Sequence, residues 1–187
     1  MSLSREEQTY LLDLAREAVA HVARGHDPPT VELDDLPASL RREGASFVTL
    51  NKHGRLRGCI GTLKAQRPLA LDVRQNATGA ALRDPRFPPV GPEEVDDLTI
   101  EISVLSSPEP LEYDTMEDLC DKLRPGVDGV VIERGWQRAT FLPQVWEKLS
   151  SKRQFLHRLC LKAGLSPEVY SSGDLDVFTY HVEKFKE

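Results

Sequence analysis

The sequence predicts an α+β fold built on a mainly antiparallel sheet with flanking helices. Three observations predict it. Apolar residues recur at helical spacing near both ends, at Leu11, Leu14, Ala18 and Val22 and again at Phe155, Leu156 and Leu159. Strict alternation marks a half-buried strand at Leu98, Ile100, Ile102 and Val104. Helices and strands also interleave without repeated βαβ units, so hairpins set the local order and a parallel sheet is disfavoured.

Ser4-Arg5-Glu6-Glu7 has the form of a capping box that opens the first helix, and Gly25 suits its C-terminal end. Asp27-Pro28-Pro29 breaks the chain, and residues 34–44 read as a short polar helix or turn. A β-hairpin follows over roughly residues 46–61, turning at Asn51-Lys52-His53-Gly54. Pro68 opens a helix that runs to about Arg83, because proline fits the first helical turn. Asp84-Pro85-Arg86-Phe87-Pro88-Pro89 is too proline-rich for regular structure. After the alternating strand, Thr115 caps a short helix, strands are expected at 130–134 and 137–142, and Pro143 to Leu149 forms a helical turn. Lys152 to Ala163 is an amphipathic helix ended by Gly164. Val177 to Phe185 alternates and closes the chain as one strand.

Bulk properties exclude several classes. The chain has 187 residues and a net charge of −6. No apolar run approaches the roughly 20 residues that span a bilayer, and the polar N-terminus does not read as a secretory signal, so a cytoplasmic location is expected. The acidic balance argues against nucleic-acid binding, although Arg55, Arg57, Lys64 and Arg67 cluster locally. Cys59, Cys120 and Cys160 lie far apart, as in a reduced protein without a zinc motif. His157 and Cys160 could face one metal from a helix, but two ligands are too few, and no metal or cofactor is expected. Dinucleotide, P-loop, zinc-hydrolase and nucleophile-elbow motifs are absent.

Leu56-Arg57-Gly58-Cys59-Ile60-Gly61-Thr62 resembles the motif of the AMMECR domain family, also called AmmeMemoRadiSam system protein A. The 84–89 segment, the strand Ile100 to Leu105, Ala139 to Val145 and Phe155 to Leu165 fit the same family in the same order. The resemblance covers nearly all of the chain and implies a single AMMECR domain, 1–187, with a larger subdomain and a smaller lobe. It also implies an uncharacterised activity in a system with Memo-like and radical S-adenosylmethionine proteins. The radical chemistry would belong to such a partner, since its cysteine cluster motif is missing here.

Two function classes follow. In the first, the protein is an enzyme or enzyme subunit acting with those partners on a small-molecule or RNA-derived substrate. Cys59 is then the nucleophile, redox thiol or single ligand, and Arg57 grips a carboxylate or phosphate. In the second, it is a non-catalytic binding or scaffold module whose motif shapes a partner or ligand groove, and Cys59 is a small buried residue. Strand alternation puts Arg57, Cys59 and Gly61 on one face and Leu56, Gly58, Ile60 and Thr62 on the other, with Leu56 and Ile60 buried. Gly58 and Gly61, which with Arg57 and Thr62 are candidate binding residues, imply a bulge, or the close approach of another backbone or a ligand. His53 is either a base folded back from the hairpin tip or an exposed turn residue. Asp84 and Arg86 are rim residues on a stiff loop, or Asp84 caps local amides while Phe87 fills the core. Glu101 lines the site and pairs with Arg57 or Arg86, or is an exposed strand charge. Gln144, after a proline, can aim its amide at a ligand. Trp146 reads as core and Trp136 as partly exposed.

Overall fold

A computed structural model describes residues 2–149, 151–167, 169 and 175–187. In chain order the elements are α1 (Arg5–Ala23), α2 (Ala38–Arg41), β1 (Glu43–Lys52), β2 (Arg55–Gly61), β3 (Arg67–Pro68), α3 (Leu69–Leu82), β4 (Leu98–Leu105), β5 (Glu109–Pro110), α4 (Met116–Lys122), β6 (Gly129–Arg134), β7 (Gln137–Phe141), α5 (Lys152–Lys162), β8 (Asp176–Tyr180) and β9 (Val182–Lys186). The α+β class with antiparallel sheets and flanking helices is what the alternation and helical spacing predict. Two compact units divide the chain: the larger is Met1–Ser106 with Glu183–Glu187, the smaller Ser107–Val182.

In the larger unit the sheet order is β2-β1-β4-β9, with β3 pairing the start of β1. Helices α1 and α3 cover one face. Leu11, Ala15, Ala18 and Val19 of α1 and Ala70, Val73 and Ala77 of α3 are fully buried with Val48, Leu50, Ile100 and Ile102 of the sheet. Ser4 caps α1 in a complete capping box with Glu7. The β1–β2 hairpin turns through His53 (φ 50°) and Gly54 (φ 74°), two consecutive left-handed residues. Such a pair matches the twist of the flanking strands.

The smaller unit has the sheet order β5-β8-β6-β7. Its core joins Val130 and Ile132 to Phe155, Leu156, Leu159 and Cys160 of α5. Trp146 is buried as expected; its ring stacks on Phe155 at 3.6 Å between centroids, and its Nε1 donates to the Asp128 carbonyl at 2.8 Å. Such a partner satisfies the one polar atom of a buried indole.

Two expectations are corrected. The closing segment is two strands rather than one: β8 pairs in the second sheet and β9 in the first, with His181 between them. The 34–44 region ends earlier than expected, in a turn at Leu33–Asp35 and the single turn of α2, because Glu43 already pairs with Pro68 in β3. No helix among the described residues is long and apolar enough to cross a membrane.

Candidate site around Cys59

The motif segment is β2, and β2 is an edge strand. Its pairing with β1 slips at Leu50/Asn51: Leu50 faces Gly58 and Asn51 faces Leu56, leaving Arg57 as an extra residue. Arg57 is thus the bulge that the neighbouring glycine implies. The bulge has a cost to the alternation. Leu56, expected in the core, is 42% exposed, because the extra residue rotates it off the face that Gly58 and Ile60 share.

Gly58 lies against α3. A Cβ there would stand inside the van der Waals radius of the Ala80 carbonyl oxygen, so only glycine lets strand and helix pack this closely. Ile60 packs on Gly79 of the same helix. Gly61 points the other way, where a Cβ would strike the Phe47 ring.

The face away from the helices carries a polar row. Thr49 of β1 pairs with Cys59 on one side and Glu101 of β4 on the other. The Thr49 hydroxyl donates to Cys59 Sγ at 3.3 Å, and Glu101 pairs with Lys184 of β9 at 2.8 Å. Cys59 is half-buried. Glu101 therefore shares a row with Cys59, but its cation is Lys184 and neither Arg57 nor Arg86: the latter two take nearer carboxylates.

The 84–89 loop folds back along the β2 edge. Buried Asp84 accepts the Cys59 N–H at 2.8 Å and the Arg86 N–H at 3.1 Å. Arg86 grips the same carboxylate with Nε at 2.9 Å and Nη2 at 2.6 Å, and Nη2 also reaches the Cys59 carbonyl at 3.4 Å. Asp84 and Arg86 together thus occupy the outward N–H and C=O of Cys59, as a neighbouring strand would. Covering an edge in this way blocks unwanted pairing. The Arg86 hydrogen bonds hold the Asp84 carboxyl well below the usual carboxylate range, against the opposing effect of burial.

Arg57 is also engaged. Its side chain is 12% exposed; Nε and Nη2 meet Glu94 at 3.0 and 2.8 Å, and the guanidinium donates to the carbonyls of Pro88 and Pro89. Lys52 donates to the same carboxylate at 3.1 Å. The Arg57 contact, chiefly, lowers the Glu94 pKa to about 2. Phe87 lies between the guanidiniums of Arg57 (6.0 Å) and Arg86 (5.6 Å) rather than plugging the core.

Thr62 ends the motif on the helix side. Its hydroxyl donates to Asp72 Oδ2 at 2.7 Å, and the same oxygen accepts from Ser46 N, Ser46 Oγ and Asn76 Nδ2. Arg67 Nε lies 3.6 Å from Oδ1. Spacing arguments pass over both Glu94 and Asp72. A signal exists for the second: Asp72 and Asn76 are one turn apart among the apolar residues of α3.

The remaining residues fall elsewhere. His53, at the hairpin tip, faces Asp97 at 3.9 Å and is mostly exposed. An open depression of about 490 Å³ is lined by Lys52, His53, Arg55, Leu56 and Arg57, without Cys59. Arg57 and Arg67 serve different carboxylates, so the sequence cluster does not form one patch. Gln144 belongs to the smaller unit, exposed on the turn Pro143–Glu147. No group of three metal-ligating side chains occurs among the described residues.

The AMMECR1 family model matches residues 12–185, across both units. A Methanothermobacter thermautotrophicus protein is 42% identical over 99% of this chain and 96% of its own length. A Thermotoga maritima protein is 40% identical over 82% of this chain and 84% of its own. Among solved structures, the uncharacterised protein PH0010 from Pyrococcus horikoshii superposes with a TM-score of 0.76 at 36% identity, covering 95% of this chain and 90% of that one. On the strength of the family match and these relatives, the chain belongs to the AMMECR1 family.

Proposed function

We propose that the larger unit is a binding module whose sheet face away from the helices, centred on Cys59, receives a Memo-like partner or the ligand it shares with that partner and a radical S-adenosylmethionine protein. One observation carries the reading. Asp84 and Arg86 fix both backbone groups of Cys59 while its half-buried thiol lies beside Thr49 on the sheet face away from α1 and α3. A side chain whose backbone is held this firmly is a positioned contact. Arg57, Asp84 and Arg86 build that frame rather than grip a ligand, since each is already occupied by a partner of the same unit.

Two features favour binding over nucleophilic catalysis. The thiol's hydrogen-bond partner is a hydroxyl, whereas a nucleophile needs a base within reach. The concavity nearby also excludes Cys59 from its lining. The test is co-elution of the protein with its Memo-like partner, using wild type and Thr49→Arg, alongside alkylation of Cys59 by iodoacetamide. The module reading expects Thr49→Arg to abolish co-elution, and Cys59 to alkylate no faster than glutathione between about pH 5 and 9. Undiminished co-elution of Thr49→Arg, or alkylation well above the free thiol, overturns it.

A further inference from the structure

The smaller unit hides a segregated charge. Between Arg134 and Pro167 the chain has seven basic residues against one acidic residue, Glu147, in a protein whose net charge is −6. Folding brings the two ends of this stretch together. Gln137, at the start of β7, donates to the Gly164 carbonyl at 2.7 Å, beyond the end of α5. Lys162 donates to the Thr140 carbonyl at 2.9 Å and lies 5.1 Å from the Phe141 ring. Phe155, Leu156, Leu159 and Cys160 occupy the buried stripe of α5. Arg158, one turn before Lys162, is exposed and has no ion-pair partner among the described residues. Arg138 lies on the opposite face of β7 from Ala139 and Phe141, where it is joined to Glu133 at 2.9 Å, and is not part of this surface.

At the tip of the same hairpin, Gly135 (φ 61°) turns the chain and presents Trp136, which is 91% exposed. Trp146, by contrast, is 3% exposed. A fully hydrated indole forgoes the largest apolar burial any side chain offers, so its position calls for a partner.

We infer that this hairpin–helix surface binds single-stranded nucleic acid, with Trp136 stacking on a base and Arg158 and Lys162 meeting phosphates. A free aromatic face flanked by cations is the combination that grips unpaired bases and backbone together. An acidic peptide would use the cations but not the flat indole face. The acidic net charge argues against nucleic acid only for a uniform surface; here the positive charge is concentrated in one stretch.

Titration with a fluorescent oligouridylate of roughly twelve nucleotides tests this, read by anisotropy and by tryptophan emission. Wild type is expected to bind at about 50 mM salt, to weaken as salt rises to about 200 mM, and to lose tryptophan emission on binding. Trp136→Ala is expected to weaken binding about tenfold, with Trp136→Phe intermediate. Arg158→Gln should reduce the slope of log affinity against log salt by about one. Trp136 makes no core contact, so unchanged circular dichroism is expected in both tryptophan variants. Failure of wild type to bind, indifference to Trp136→Ala, or equal affinity for polyglutamate of matched charge each overturns the inference.

Discussion

Two buried aspartates flank the motif strand and solve the same problem differently. Asp72, on the helix side, gathers neutral donors from Ser46, Thr62 and Asn76, with Arg67 at longer range. Asp84, on the edge side, is gripped by Arg86, whose own side chain is 54% exposed. The first belongs to the dry interior and ties β1, the motif's last residue and α3 into one body. The second is an ion pair with one partner in water, holding a loop to a strand edge. The difference teaches that the segment is anchored twice, permanently on the core side and more weakly on the side that presents Cys59.

The largest expected effect breaks the core side outright. Gly58→Ala would drive a methyl group into the Ala80 carbonyl, and backbone cannot yield as a flexible side chain would. A loss of about 3 kcal/mol is expected from overpacking of this kind, measured by urea unfolding. Stability within a few tenths of wild type would show that strand and helix can separate without penalty.

Next, the two aspartates can be weighed against each other. Asp72→Ala strands several buried donors and should cost about 3 kcal/mol; Asp84→Ala strands the Cys59 N–H and a guanidinium already half in water, and should cost about 2 kcal/mol. The same unfolding experiment reads both. Only Asp84→Ala should also accelerate hydrogen exchange at the Cys59 amide without global unfolding. Equal exchange in the two variants would remove the distinction.

The smallest effect is on pH. Glu94 titrates near 2 because Arg57 bonds its carboxylate, below the roughly 4.3 of an unfolded glutamate. Its folded-state pKa is depressed, so its stabilisation is complete above the unfolded value and is lost as pH falls from about 4 to about 2. Wild type should therefore lose stability across that window faster than Glu94→Gln. Parallel pH profiles for the two proteins would contradict the assignment.

Much of this was legible in the sequence. Alternation placed Cys59 and Gly61 together on the face away from the core, and the glycines announced a bulge and a close approach. Alternation failed at Leu56 because it counts residues, and the bulge at Arg57 adds one without adding a pairing position. Glu94 was not legible: it reaches Arg57 across 37 positions of chain, and no local pattern encodes such a distance. Glu101 was placed on the right face but given the wrong cation, because its partner Lys184 lies on a strand that sequence reading joined to β8. The face was visible because it depends on a period of two residues, whereas the ion pairs depend on topology.

That last strand has a consequence for how the protein is made. β9 completes the sheet of the larger unit, where Glu183 meets Leu3 and Gln8, and Glu187 meets Arg16 and the Ile100 amide. The smaller unit is continuous in the chain, while the larger is closed by residues separated from the rest of it by that entire unit. On a ribosome, the smaller unit has all its residues before the larger has its final strand. The contacts of Leu3 and Gln8 with Glu183 span 180 and 175 positions of chain, and such contacts form late because closing a long loop precedes any gain from pairing. The order of synthesis and the order of completion therefore run in opposite directions for the two halves of this chain.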